Sequence, residues 1–158
     1  MNMVRAPYQV LVFPFRFVSE DEIQYAIFRR RDRGFWQGIA GGGEEGENIL
    51  KAAQRETFEE AGISPNCRFI ELESSAAVPA SEFEGHERWG EEVKTIPEYC
   101  FGVEVRSSKL KLSREHTEYR WVSYDKAMEL LRWEGNRNAL SELNQRLLSG
   151  IDLKFSGK

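Results

Sequence analysis

Apolar residues are distributed along this chain in two periods. Residues 8–18 (YQVLVFPFRFV) are apolar and aromatic almost throughout, as in a buried strand, and residues 23–30 (IQYAIFRR) alternate in part. The polar turn Ser19-Glu20-Asp21-Glu22 between them predicts an antiparallel hairpin, with Pro14 placed at an edge or bulge because it cannot donate to a sheet. Further strands are predicted over 66–79, with a break, over 96–106 and over 118–122. The helical period takes over at 47–61, where Leu50, Ala53, Thr57 and Ala61 make a packing stripe. It returns at 125–133 (Ala127, Leu130, Leu131) and at 136–148 (Leu140, Leu143, Leu147). Gly135 and Asn136 are expected to supply the turn and cap between these last helices; Asn136 and Arg137 could also reach a ligand, though capping alone accounts for them. Residues 81–94 are polar and aperiodic; so long a loop in a compact domain is often functional. His86, Arg88 and Trp89 are its candidate contacts, with plain exposure the simpler account of His86.

The stretch 41–63, GGGEEGENILKAAQRETFEEAGI, holds the chemistry. At 100° per residue Glu56, Glu59 and Glu60 lie together beside the apolar stripe. Crowded carboxylates raise one another's cost of ionisation, so a cation is called for, and a hard divalent ion such as Mg²⁺ takes carboxylate oxygens while keeping waters and phosphates. The plainer account is a solvated acidic face countered by Lys51 and Arg55. Gly41, Gly42 and Gly43 permit positive φ and let backbone N–H groups approach an anion, and Gly62 is placed to close the helix. Upstream, Arg29, Arg30, Arg31 and Arg33 form a basic cluster that is either a solvated strand end or, through one of Arg29, Arg30 and Arg31, a phosphate clamp. Phe35 and Trp36 are either core or, for one ring, the lining of a base-binding pocket.

Composition narrows the classes. The 158 residues are 41% hydrophobic and 30% charged, consistent with one globular domain, residues 151–158 forming a frayed tail. A net charge of −4 gives no footprint for duplex nucleic acid. Cys67 and Cys100 fit neither a disulfide framework nor a zinc cluster and read as buried free thiols. No apolar stretch approaches the roughly 18 residues of a membrane span, and no secretion signal opens the chain, so a cytoplasmic location is the default expectation.

The spacing Gly41, five residues, Glu47, seven residues, then Arg55-Glu56-Thr57-Phe58-Glu59-Glu60-Ala61-Gly62-Ile63 resembles the signature of the Nudix hydrolase family, G-x5-E-x7-R-E-U-x-E-E-x-G-U with U a bulky aliphatic. Only Thr57 departs, at a packing position. The resemblance implies an α/β fold, an α/β/α sandwich with a central mixed β-sheet, and hydrolysis of a nucleoside diphosphate linked to a further group. It implies Glu56, Glu59 and Glu60 as metal ligands, Glu47 as an outer ligand or water-positioning group, and Arg55 as the side chain that orients the carboxylates. An acid outside the motif commonly completes such a site; Glu115 is the candidate and Glu118 the fallback, and Glu59 or Glu115 would be the base. Mg²⁺, or Mn²⁺, is the implied cofactor.

The flanking segments FWQG (35–38), Arg114-Glu115-His116, Tyr119-Arg120-Trp121 and Glu134-Gly135-Asn136-Arg137-Asn138-Ala139 resemble one branch of the family, the bacterial dihydroneopterin triphosphate pyrophosphatases, or dATP pyrophosphohydrolases. Substrate contacts are then expected from Arg30, Trp36, Ala40, Gly41, Gly42 and Gly135. The substrate would be a phosphorylated small molecule and the protein a monomer or homodimer. Open alternatives are another nucleoside diphosphate substrate (a dinucleoside polyphosphate, a nucleotide sugar, an oxidised nucleotide), a nucleotide-sensing module without hydrolysis, and an isomerase on the same scaffold, for which no acid–base pair can be named.

Overall fold

In the computed structural model, which describes residues 4–32, 34–114 and 116–150, the chain builds one seven-stranded mixed sheet. Its strands are β1 (Arg5–Phe17), β2 (Ile23–Arg30), β3 (Trp36–Gln37), β4 (Ile39–Glu44), β5 (Phe69–Pro79), β6 (Thr95–Glu104) and β7 (His116–Val122). The helices are α1 (Ile49–Ala61), α2 (Tyr124–Leu130) and α3 (Glu134–Ser149), and short 3₁₀ turns at Ala80–Glu82 and His86–Trp89 follow β5. The order β3-β2-β1-β6-β5 forms the main path, with β4 on β1 and β7 on β2.

β1 is the axis. Its alternation sends Leu11, Phe13 and Phe15 to one face, where they pack with Leu140, Leu143 and Leu147 of α3, and Val10 and Val12 to the other, against Ala52 and Ala53 of α1. Helices therefore cover both faces, the α/β/α layering expected. Near-continuous apolar character in β1 follows from burial on both sides.

Pro14 corrects the expectation of an edge or bulge. It lies within this central strand, in parallel register with Val103 of β6. On the opposite side β1 pairs with β4 over Arg5–Val12 and with β2 over Phe15–Phe17. Pro14 sits between those two partners, where a missing N–H costs no ladder bond.

Helix α1 is capped at its end as the sequence suggested, and at its start by Asn48. Gly62 is left-handed (φ 70°) and donates to Phe58 O, while the Asn48 side chain accepts from Lys51 N. The inward face is Ala52, Ala53, Glu56, Thr57, Glu60 and Ala61; Leu50, in the first turn, is 44% exposed. The apolar stripe thus missed that Glu56 and Glu60 share the buried face. Gly135 and Asn136 are not a linker and cap either: both lie in the first turn of α3, whose N-cap is Trp133. The Asn136 side chain instead accepts from Gly38 N at 2.8 Å, tying α3 to the segment between β3 and β4. Cys100 is buried and Cys67 half-buried, both free.

Candidate active site

Strand β4 and helix α1 meet at an arginine. Arg55 Nε donates to Glu47 Oε2 at 2.9 Å and Nη2 to Glu47 Oε1 at 3.0 Å. Nη2 also reaches Gly42 O at 2.8 Å, and Nη1 reaches Glu56 Oε2 at 2.9 Å and Glu59 Oε1 at 3.2 Å. One guanidinium thus holds three carboxylates and a backbone carbonyl, the kind of planar multidentate contact lysine cannot make. Glu47 has little left for anything else, since Oε1 also accepts from Glu44 N at 3.0 Å. Its carboxyl is held below the usual range, chiefly by the Arg55 bond.

The three motif acids part company around the helix. Glu56 is buried and borders the cleft. The Glu59 side chain is 52% exposed. Glu60, on the same buried face as Glu56, is engaged by the segment before β7: Ser113 Oγ donates to it, and His116 Nδ1 lies 3.4 Å from Glu60 Oε1. That segment is laced to the end of α1 by Lys111 N to Ala61 O at 2.9 Å and Ser113 N to Glu60 O at 3.1 Å. His116 is buried against Phe28, not a surface histidine. Glu115 lies outside the described residues; its neighbours Arg114, whose carbonyl accepts from Arg31 Nε at 2.7 Å, and His116 border this corner. The fallback acid, Glu118, is exposed and paired with Arg29 at 3.2 Å.

Gly41, Gly42 and Gly43 do not adopt positive φ; they belong to the extended strand β4. Their smallness serves close approach. A Cβ on Gly41 would fall within the Glu56 carboxyl, one on Gly42 would meet the Arg5 guanidinium, and one on Gly43 the Tyr8 ring. Gly41→Ala should therefore displace the Glu56 carboxylate, costing about 1–3 kcal/mol through overpacking and about a hundredfold in kcat through misplacement. Urea unfolding and initial rates on the same sample check both.

Burial pushes the Glu56 carboxyl up to about 7, with Arg55 opposing and Glu59 and Glu60 adding to the rise. Its folded value thus lies above the unfolded one. The protonated acid stabilises the metal-free fold fully below about pH 4.5, and this contribution is lost as pH rises toward 7, to a total of about 3 kcal/mol. Urea midpoints in a chelator at pH 5 and pH 8 should show the fall, and Glu56→Gln should flatten it.

All candidate metal donors are carboxylate oxygens, which suits a hard divalent cation, and the Glu56 carboxyl, desolvated beside a glycine wall, is a group a cation would relieve. Among the described residues no three acidic, histidine or cysteine side chains converge into a cage.

Beside this corner opens a cleft of about 500 Å³. Of the expected substrate contacts, Arg30, Ala40, Gly41, Gly42 and Gly135 line it. Arg30 is partly spent on a bidentate pair with Asp32, at 2.8 and 2.7 Å. Trp36 is the correction. Alternation in β3 and the residue before it sends Phe35 and Gln37 to the cleft and Trp36 to the opposite face, against the core beneath Leu131 with Arg120 over its ring. Phe35, edge-to-face with Trp133 at 5.6 Å, is the ring at the cleft. In the 81–94 segment, Glu82, Phe83 and Glu84 border the cleft, while the Trp89 indole donates to Arg5 O at 3.0 Å and so pins the segment to β1. Gln9 and Glu98, joined at 2.6 Å within the cleft lining, were not singled out from sequence. The available signal was a glutamate alternating with Ile96 and Cys100 on the inward side of β6.

Residues 11–143 match the family model of the NUDIX domain. The chain is 31% identical over 135 residues to the asymmetrical bis(5'-nucleosyl)-tetraphosphatase of Rattus norvegicus, covering 84% of this chain and 86% of that protein. It is 29% identical over 144 residues to the dihydroneopterin triphosphate diphosphatase of Escherichia coli, covering 89% of this chain and 94% of that one. Among solved structures, a NUDIX hydrolase of Listeria monocytogenes superimposes with a TM-score of 0.82 at 39% identity, over 92% of this chain and 97% of the other.

Proposed function

The chain belongs to the NUDIX family and is a hydrolase of phosphoric anhydride bonds, and from that premise we propose that it is a Mg²⁺-dependent pyrophosphohydrolase converting a purine or pterin triphosphate to the monophosphate and pyrophosphate. The observation that carries this reading is one cleft with a lining of two unlike kinds. Its lining combines Gly41, Gly42 and Glu56, suited to a phosphate and a cation, with the Phe35 and Trp133 rings, suited to a heterocycle. The likeness to the E. coli dihydroneopterin triphosphate diphosphatase points to the same substrate class.

On this reading Glu56, Glu59, Glu60 and Glu115 would hold the cation, and Mn²⁺ would serve in place of Mg²⁺. When bound, it polarises phosphate oxygens and makes a coordinated water more acidic. The chain's own residues do the rest. Arg55, anchored by Glu47, fixes the directions of Glu56 and Glu59; Arg30 and the β4 backbone hold the phosphates. Glu59 or Glu115 takes the proton from the attacking water.

The test is product analysis over dihydroneopterin triphosphate, the dNTPs, a dinucleoside polyphosphate, ADP-ribose and a nucleotide sugar, with and without Mg²⁺. Metal-dependent release of pyrophosphate from the first two classes is the expected result. The rat tetraphosphatase likeness gives the second reading its footing; turnover of the dinucleoside polyphosphate alone would establish it in place of the first.

A further inference from the structure

In the lining of the cleft, two strands across from Gly42 through Gln9, lies a carboxyl that the hydrolysis does not use. Glu98 is only 5% exposed, yet it borders the cleft. Its Oε2 accepts from Gln9 Nε2 at 2.6 Å, and among the described residues Gln9 is its only donor. A buried carboxyl with one neutral donor is a poor structural choice, because its second oxygen forfeits hydration without replacement. The register explains how it is held: Gln9 and Glu98 are direct neighbours across the parallel β1–β6 pair, so the backbone fixes both side chains.

The second oxygen lies beside the first turn of α3. Gly135, in the first turn of α3, faces it: a Cβ there would stand 3.8 Å from Glu98 Oε1 and 3.3 Å from the Ala76 methyl. Gly135 and Ala76 thus line the cleft beside the carboxyl, and the absence of a Cβ on Gly135 leaves a narrow slot there. Phe35, with Arg132 4.9 Å over its ring, and Trp133 line the same cleft and supply its aromatic surface.

We propose that Glu98, held by Gln9 at the floor of this slot, determines specificity by accepting the N–H and exocyclic NH₂ of a 2-amino-4-oxopyrimidine edge, the edge shared by guanine and pterins. A carboxylate offers only acceptors, and that edge presents two adjacent donors. Adenine presents a donor beside a ring nitrogen lone pair, which faces the carboxylate unfavourably. Hypoxanthine keeps the ring N–H but lacks the amino group. This assignment rests on the reading that the cleft takes a phosphorylated heterocycle, and it selects within the purine and pterin class.

The test separates recognition from chemistry. GMP, IMP and AMP are titrated against the wild-type protein and Glu98→Gln in a chelator, following tryptophan fluorescence, while pyrophosphate release from dGTP, dITP and dATP with Mg²⁺ is measured in parallel. The wild type should bind GMP about tenfold or more tightly than IMP or AMP, the scale of a hydrogen bond to a charged group. In Glu98→Gln that preference should shrink to within about twofold. Equal affinities in the wild type, a preference for AMP, or a GMP preference that survives Glu98→Gln would each overturn the assignment. Should the variant not fold, the wild-type GMP to IMP ratio decides by itself. Absence of pyrophosphate release from every triphosphate would count against the proposed reaction, and the binding ratios would still be read.

Discussion

Arg55→Ala is expected to lower stability by about 3 kcal/mol and activity by at least about a hundredfold. The side chain is 23% exposed, and its partners Glu47 and Glu56 are 15% and 12% exposed, so the cluster is largely withdrawn from water. Removing the cation strands those carboxylates, and stranded charges cost more than the ion pair itself contributed. The partial exposure of the cluster keeps the loss at the low end of the range for buried pairs. Rate suffers because Glu56 and Glu59 lose the group that sets their directions. Arg55→Lys separates charge from shape: it keeps the cation but cannot donate at once to Glu47, Glu56, Glu59 and Gly42 O, so it should recover part of the stability and little of the rate. Urea midpoints and kcat for the three proteins give the comparison. If Lys restored full activity, the fork would be irrelevant and only the charge would matter.

Glu59→Gln should act in the opposite proportion. Its side chain is half exposed and makes one charged contact, to Arg55 at 3.2 Å, so stability should move by less than about 0.5 kcal/mol. Loss of a proton acceptor or metal ligand, however, should reduce kcat by about 10²–10⁴. Thermal melts and single-turnover rates make the split visible. A variant with native kcat would remove Glu59 from the reaction and shift the base to the segment that carries Glu115.

What could be read from the sequence followed from periodicity and spacing. The two-sided burial of β1 was visible as an unbroken apolar run, and the α1 carboxylates as a spaced motif, because both are local in the chain. Contacts between distant segments were not visible. Helical spacing placed Glu56, Glu59 and Glu60 on one side, but only the sheet packed against α1 decides that Glu56 and Glu60 turn inward and Glu59 outward. Pro14 was expected at an edge or bulge because the rule concerns a strand with one set of neighbours, whereas β1 exchanges β4 for β2 at that residue. Trp36 was expected at the pocket from the resemblance, and the pleat turns Phe35 there instead. Gln9 and Glu98 are ordinary polar residues until parallel pairing makes them neighbours.

That last pairing also bears on the order in which the molecule assembles. Gln9 and Glu98 are separated by 89 positions, so the cleft floor exists only after the chain has closed a loop of that length. The β1–β2 hairpin and the helices need only short closures, and long-range strand pairing slows folding. In stopped-flow refolding, far-ultraviolet dichroism should therefore recover ahead of nucleotide-induced fluorescence. A chain emerging from the ribosome would carry its complete Nudix motif well before it could hold a substrate.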